Sequence, residues 1–497
     1  MTPPDRALQR LVIAALLLIF ASRFAHGQDA DAVGEPAFLF GDEAEQTTPP
    51  ADPPWWKDIR TSGYLKNETA YRYREPRSIT KIRNVVYLNA TYPYSPRLRF
   101  NFAGWAYYDL AYDLFDYETI AARLEREEGE PLAFVVNLPQ EKDSPVAEAR
   151  ELYLDWFGGD VDVRLGKQFI VWGVLEGVRI VDEVNPLDFR ELVMPELLDY
   201  RIPLWSLKAD WYRDKASYEL IWIPDVRFHK PAPRGSEWEF LQEVPGTRYP
   251  DRFDPKNSEI GYKVSTNLWD TELSFSYFYT WDDYPVIFRH VQLNSAAPPE
   301  FLPTYTRISM YGATFIKQLW NIILKGELAF VTGKYFAIDN LDENGDGFLD
   351  SNGEFKRNHI RWGLGVDFNW LGADISPSIT QWIILNYHDA MIQDKYDTGV
   401  NLFIRKDMPE KSIVFQFLAM YLVNMEELYM NPQWTFRVTD RFSLTAGLDL
   451  FYGRKASFGV GSNASAVGGV EVIEQRAQFF GEFHDNDRVF MEFKYAF

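Results

Sequence analysis

Two stretches of the chain gather residues that could do chemistry. The first is residues 176–201, where Glu176, Arg179, Asp182, Glu183, Asp188 and Arg190 lead a run of charges of both signs. Apolar residues (Val178, Ile180, Val181, Val184, Leu187) and the prolines Pro186 and Pro195 are interleaved with them. Mixed charges on an ordered, proline-stiffened segment suit the selection of what passes a constriction, because rings of side chains of either sign set permeability. The second stretch is "DENGDGFLDSNGE", residues 342–354. Asp342, Asn344 and Asp346 occupy the first three ligand positions of a calcium loop, Gly347 the sharp turn, Phe348 the carbonyl position and Asp350 the ninth. The twelfth position, where a bidentate Glu belongs, is Gly353, and Glu354 comes one residue late. Two readings stay open: a bare Ca²⁺ loop, or an acidic, solvated loop tip.

Hydrolytic chemistry finds little support. The six histidines are His26, His229, His290, His359, His388 and His484, and none sits in a nucleophile elbow or a zinc-binding pair. His388 adjoins Asp389, but sequence neighbours do not make a catalytic dyad. With no cysteine in the chain, disulfides and thiolate metal sites are excluded. The expectation is a protein that is not an enzyme and has no cofactor beyond that possible calcium.

The elements that must carry these residues alternate with period two. In "RLRFNFAGWAYYDLAYD", Leu98, Phe100, Phe102, Tyr108 and Leu110 face one way, and Arg97, Arg99, Asn101 and Asp109 the other. "EIGYKVSTNL" sets Glu259 and Lys263 opposite Ile260 and Tyr262, and "TELSFSYFYTW" sets Glu272 opposite Phe275. "HIRWGLGVDFNW" sets Arg361 and Asp367 opposite Trp362 and Leu364. Such alternation means strands with one apolar and one polar face. Many runs reach ten residues, the length that crosses a bilayer at a tilt. Aromatics such as Trp269, Trp281, Trp370 and Tyr452 end them, and tight turns alternate with long connections. Together these predict an all-β fold: a transmembrane antiparallel β-barrel of about 16–18 strands with long extracellular loops. Arg97, Arg99, Asp109 and Arg361 then line a polar lumen. A barrel of this size leaves a bore its own wall cannot fill. Residues 161–172 are expected to form a membrane strand, with Lys167 a blemish on its apolar face, and residues 174–203 to fold inward and constrict the bore. The strand count loses its footing after about residue 411, where "VTDR" and "HDND" both look like tight turns.

At the N-terminus, Arg6 and Arg10, an apolar core from Leu11 to Ala21 and small residues at Ala25 and Gly27 have the layout of a secretory signal over residues 1–27. Residues 28–60 read as a flexible, acidic, proline-rich periplasmic leader, and 61–497 as the barrel. The net charge of −21 argues against nucleic acid as a partner.

"VRLGKQFIVWG" followed by "VNPLDF" resembles the shared core of a family of proteobacterial outer-membrane β-barrel proteins of unknown function. Arg164, Gly166, Lys167, Gln168, Trp172, Gly173, Asn185, Pro186 and Asp188 match its Arg-x-Gly-(Lys/Arg)-Gln, Trp-Gly and Asn-Pro-x-Asp elements, and the chain departs from it between Gly173 and Val184. The resemblance implies an outer-membrane, porin-like protein, with a possible partner in an inner-membrane exporter of the resistance-nodulation-division type and a role in moving hydrophobic or lipid-like compounds. The last strand, ending at Phe497, resembles the signal read by the barrel-assembly machinery. Membrane lipid and lipopolysaccharide are the remaining expected partners. Solute passage through a polar lumen, hydrophobe transport and a surface structural role all remain open on this reading.

Overall fold

The computed structural model describes residues 55–75, 77–115, 145–191, 197–233, 236–238, 246–293, 295, 300–339, 341–453, 460–462, 470–472 and 479–497. The expected signal and residues 28–54 of the leader lie outside them. Trp55–Asp58 forms one 3-10 turn and leads into β1 (Arg60–Arg72). There follow β2 (Ser78–Ser95), β3 (Leu98–Asp109), β4 (Val146–Phe157), β5 (Val161–Gln168), β6 (Leu204–Arg213), β7 (Ala216–Ile223), β8 (Glu259–Leu268) and β9 (Thr271–Trp281). A loop hairpin, β10 (Val286–His290) and β11 (Glu300–Thr304), interrupts the wall. The wall resumes with β12 (Arg307–Leu319), β13 (Ile322–Ala337), β14 (Glu354–Trp370), β15 (Ala373–Ile384), β16 (Tyr396–Met408), β17 (Ile413–Leu422), β18 (Glu427–Arg437) and β19 (Phe442–Tyr452). A second hairpin, β20 (Val460–Ser462) and β21 (Val470–Val472), precedes the last strand, β22 (Arg488–Ala496).

Leaving out the two hairpins, each strand pairs antiparallel with the next, in an 18-stranded sheet. β22 pairs with β1 from Tyr64↔Ala496 to Arg72↔Arg488, so the sheet closes on itself. Closure removes the open edges that lipid cannot satisfy. Exposure along the strands is the reverse of a soluble protein's: Leu65, Phe100, Leu165, Tyr262, Phe275 and Phe493 are exposed, while Lys66, Glu68, Arg83, Glu327 and Arg361 are buried. An apolar outside and a charged inside make a transmembrane barrel. The two-residue turns, such as Trp269-Asp270 and Leu371-Gly372, adopt the left-handed backbone that suits the twist of a hairpin. They gather at one rim, with the start of β1 and the end of β22; the longer connections share the other. This asymmetry, on a barrel clad in apolar side chains, places the protein in the outer membrane with its short-turn rim periplasmic.

The structure corrects three details of the sequence reading. β5 ends at Gln168 rather than continuing to Trp172. The long connections read from the sequence over 333–357 and 387–410 shrink to 338–353 and 385–395: β13 and β14 extend into the first, and the second contains the whole of β16. "VTDR" is a periplasmic turn between β18 and β19, whereas "HDND" ends a 3-10 turn (Phe480–Asn486) that runs straight into β22. That turn is held because Phe480 and Phe483 bury themselves with Tyr429 and Phe451 on the inner wall.

Candidate functional site

The wall opens inward after β5, at a glycine. Gly166 has φ +140, and a Cβ there would lie 2.2 Å from the Leu152 carbonyl oxygen. The bend carries Lys167 off the lipid face, correcting its expected place: it is buried, with Nζ donating to the Ala149 carbonyl at 2.7 Å and to Glu148 at 3.3 Å. Lys167 thereby satisfies a carbonyl in the half of β4 that β5 no longer pairs with. Gln168 Nε2 donates to the Ser206 carbonyl (3.1 Å). Asn185 then clasps the base of the inward segment: its Oδ1 accepts from Ile170 N and its Nδ2 donates to the Ile202 carbonyl, both at 2.8 Å. Entry and exit of the segment are thus tied by one fully buried amide.

Beyond the clasp the segment crosses the lumen. Trp172 packs against Phe278 and donates Nε1–H to Glu219 (2.5 Å). Leu175, Ile180 and Val181 form one cluster with Ile308, Met310, Ala329 and Val331 on the inner faces of β12 and β13. Glu327 on β13 accepts three backbone N–H groups, from Val174 (2.5 Å), Leu175 (2.7 Å) and Val181 (3.1 Å). Gly363 on β14 leaves room: a Cβ there would meet the Ile180 and Leu175 side chains at 2.5 and 2.7 Å.

The far end of the segment binds elsewhere. Glu191 is ion-paired with Lys81 (2.6 Å) and Arg83 (2.5 Å) on β2 and with Arg488 on β22 (3.7 Å). Burial alone would raise the Glu191 carboxyl, but Arg83, Lys81 and Arg488 outweigh it and hold it down at about 2. Arg190 lies against the Trp105 and Tyr107 rings of β3. In the closed order of strands β2 stands nine steps from β13 in either direction, so the segment is fastened to opposite walls of the bore.

The expected lumen residues fall into groups. Glu183 pairs with Arg361 (3.1 Å), joining the segment to β14, and Glu176 approaches Lys325 (3.6 Å). Arg179 stitches the segment to itself, donating to the carbonyls of Asp182 (2.6 Å) and Asn185 (2.7 Å). Asp182 accepts from Trp172 N and from Arg201. Asp188 receives Arg190 Nε at 3.0 Å. Asp109 is buried near Arg83 (3.6 Å) and accepts from Ile82 N and Ala111 N. Arg99 pairs with Asp155 (2.8 Å), which Arg164 also grips (2.6 Å). Arg97 departs from expectation: it is exposed in the turn between β2 and β3, outside the lumen, because β3 begins one residue later.

The calcium loop folds otherwise than its ligand spacing suggests. Asp342 accepts from Asp346 N and Gly347 N, Asn344 from Asp346 N, Asp346 from Phe348 N, and Asp350 from Glu343 N. Phe348 stacks on His290, and the Gly353 carbonyl receives Arg289 (3.0 Å). Among the described residues no group of three or more His, Asp or Glu side chains is arranged to hold a metal ion. The side-chain oxygens that the spacing assigns to calcium accept the loop's own N–H groups.

Above the segment, at the extracellular ends of β13, β14 and β15, lies a cavity of about 810 Å³. Arg179, Glu183 and Arg361 form part of its lining, with Phe336, Trp382, Ile384, Val286 and Ile392 as apolar walls. Sequence reasoning missed His229, Asp283 and Tyr284, which also line it. His229 Nδ1 accepts from Leu187 N (2.8 Å), and burial, then Arg179, push its pKa down to about 3, so the ring is neutral. Burial, then Glu259 and Glu183, push the Asp283 carboxyl well above the usual range. A signal was present for the wall: "QWIIL", residues 381–385, is apolar on both faces, which a strand lining plain water would not need.

No curated protein matches the chain. Solved barrels similar to it include OccAB3 of Acinetobacter baumannii (9% identity, 89% of this chain and 99% of that one, TM-score 0.46) and OccK8 (OprE) of Pseudomonas aeruginosa (10%, 89% and 99%, TM-score 0.46). OccAB2 of Acinetobacter baumannii stands close to these (10%, 89% and 98%, TM-score 0.47). At such values the likeness adds nothing to what the strand pairing itself establishes. The family described as "Protein of unknown function (DUF1302)" matches residues 80–384, from β2 through the inward segment to β15. That is more than half of the sequence, and the protein belongs to this family of unknown function.

Proposed function

We propose that the protein is a selective outer-membrane channel whose bore is constricted by residues 174–203, rather than an open diffusion pore. The observation that carries this reading is the fastening of the segment to opposite walls, by Glu327 on β13 and by Lys81 and Arg83 on β2. A strap held at both ends narrows an 18-stranded bore that would otherwise be a wide aqueous channel. Charges of both signs along it, paired with wall residues, leave a lumen that sorts solutes by charge and shape. The test is single-channel conductance in planar bilayers. Because Asn185 ties Ile170 to Ile202, a short Gly-Ser linker can replace residues 171–201 at the base. The linker variant is expected to conduct several-fold more than the intact protein, and equal conductance would overturn the reading.

The apolar and aromatic walls of the cavity above the segment favour a second reading. In it, the lumen passes hydrophobic or lipid-like compounds handed over by an inner-membrane exporter of the resistance-nodulation-division type. Cells lacking the protein would then retain such compounds, and unchanged retention would sink it.

A further inference from the structure

The extracellular cavity is unevenly charged. Its lining carries four cationic side chains, Arg179, Arg289, Lys334 and Arg361. All four are committed: Lys334 to Asp282 (2.6 Å), Arg361 to Glu183 (3.1 Å), and Arg179 and Arg289 to backbone carbonyls. The lining also holds six carboxyl groups. Among the described residues no lysine or arginine is ion-paired with Asp283, Asp394 or Asp397. Asp394 receives the Asn424 amide, Asp397 Oδ1 is buried without a partner, and the neutral His229 lies 3.7 Å from Asp283, on which Arg179 acts from farther away. Holding half-buried carboxyl groups with no ion-paired lysine or arginine is costly, and the protein does so beside aromatic faces.

Those faces belong to Trp382, Tyr284 and Phe336. Trp382 is paired across the strands with Asp397, and its indole carries the Arg361 guanidinium 4.1 Å from the ring centre. His359, almost fully buried in the same lining, accepts Arg361 Nε at its own Nε2 (2.9 Å). Its ring proton therefore sits on Nδ1, and that donor has no partner.

We propose that this cavity binds an amphipathic organic cation: an apolar or aromatic body bearing an amine or quaternary ammonium group, held against Asp283 and Asp397 among the aromatic walls. The carboxyl groups give the charge preference, since an entering cation favours their ionised form, and aromatic faces attract the cation. The volume suits one drug-sized molecule. An anionic amphiphile would meet six carboxyl groups against four cations, each of which already has a partner in the wall. The inference rests on reading the lumen as a solute route and names the class of solute.

The test is equilibrium binding to the full-length protein in lipid nanodiscs, with no flux measured. The probes share one phenylbutyl body: its trimethylammonium salt, the alcohol and the sulfonate. The cation is expected to bind saturably and about tenfold or more tighter than the sulfonate, with the alcohol between. In Asp283→Asn/Asp397→Asn protein, cation affinity should fall to that of the alcohol while alcohol binding stays unchanged, which reports an intact cavity. Sulfonate binding as tight as the cation's, no saturable binding of any probe, or cation binding untouched by the double substitution would overturn the proposal. Should the variant not assemble, the three-probe comparison on the unaltered protein decides alone. Selective binding without any conductance change in the linker variant would count against the constricted channel only. The reverse pattern would count against the cation site only.

Discussion

Glu327 is the residue on which the segment's first anchorage turns. Its carboxylate receives three backbone N–H groups of the segment. Removing the acceptor leaves buried donors unmet, at about 1–3 kcal/mol each. Glu327→Ala should therefore free residues 174–181 from β13. In reconstituted protein this will appear as faster proteolysis within the segment and as open-channel noise, and an unchanged digestion pattern would count against the anchorage. Glu183 makes a pH prediction. Burial opposes ionisation, but Arg361 and Arg179 win and bring its carboxyl from near 4.5 down to about 2. A folded-state pKa below the unfolded one contributes holding energy that is fully present above about 4.5 and is lost as pH falls through about 2. Conductance should hold steady from neutral pH down to about pH 4 and rise only as the medium approaches pH 2. A rise between pH 7 and pH 5 would contradict the Glu183–Arg361 tie.

At the scale of elements, the informative event is the end of β5. Its start was legible, since Val161, Val163 and Leu165 alternate with Asp162 and Arg164. Its end was not, because period-two reasoning assumes a regular strand and Gly166 breaks regularity with backbone alone. Hence Lys167 was placed on the lipid face and Trp172 at a strand end, whereas both are buried inside. The matching residues Gly166, Asn185 and Pro186 drew notice as a pattern, but the pattern did not reveal that Asn185 clasps Ile170 to Ile202. Arg97 shows the opposite failure: correct alternation carried one residue too far, into a turn. In the cation loop, side chains that could ligate calcium accept neighbouring N–H groups, and spacing alone does not separate the two roles. Gly166→Ala tests the element. A left-handed φ costs a non-glycine residue about 1–3 kcal/mol, and the added methyl group also collides with the Leu152 carbonyl. The expected outcome is loss of the heat-modifiable folded band on gels, and normal assembly would refute the turn.

Over the whole molecule, closure and function are separate achievements of the chain. The barrel was readable from strand length, the turn rhythm and the two faces of each strand, with a count of about 16–18 where the sheet has 18. The rhythm failed at β16, which was read as part of a connection, and in the long connection before β22, where an apolar 3-10 turn on the inner wall imitates a strand end. What no pattern of single strands could reveal is that one inward segment bonds to walls nine strands apart, since that depends on closure of the whole sheet. The account stands or falls on that crossing. The absence of native cysteine allows a direct test with an engineered pair. A Cβ built at Gly312 on β12 lies 3.4 Å from the Val181 Cβ, close to the roughly 3.5–4.5 Å that a disulfide spans. In Val181→Cys/Gly312→Cys protein, with Ser276→Ala relieving the neighbouring hydroxyl, mild oxidation of the membrane-embedded barrel should protect both thiols from maleimide. It should also give a reducible shift in the mobility of the denatured chain. Two freely labelled thiols in the assembled barrel, with no cross-link on oxidation, would contradict the crossing and with it the constricted bore.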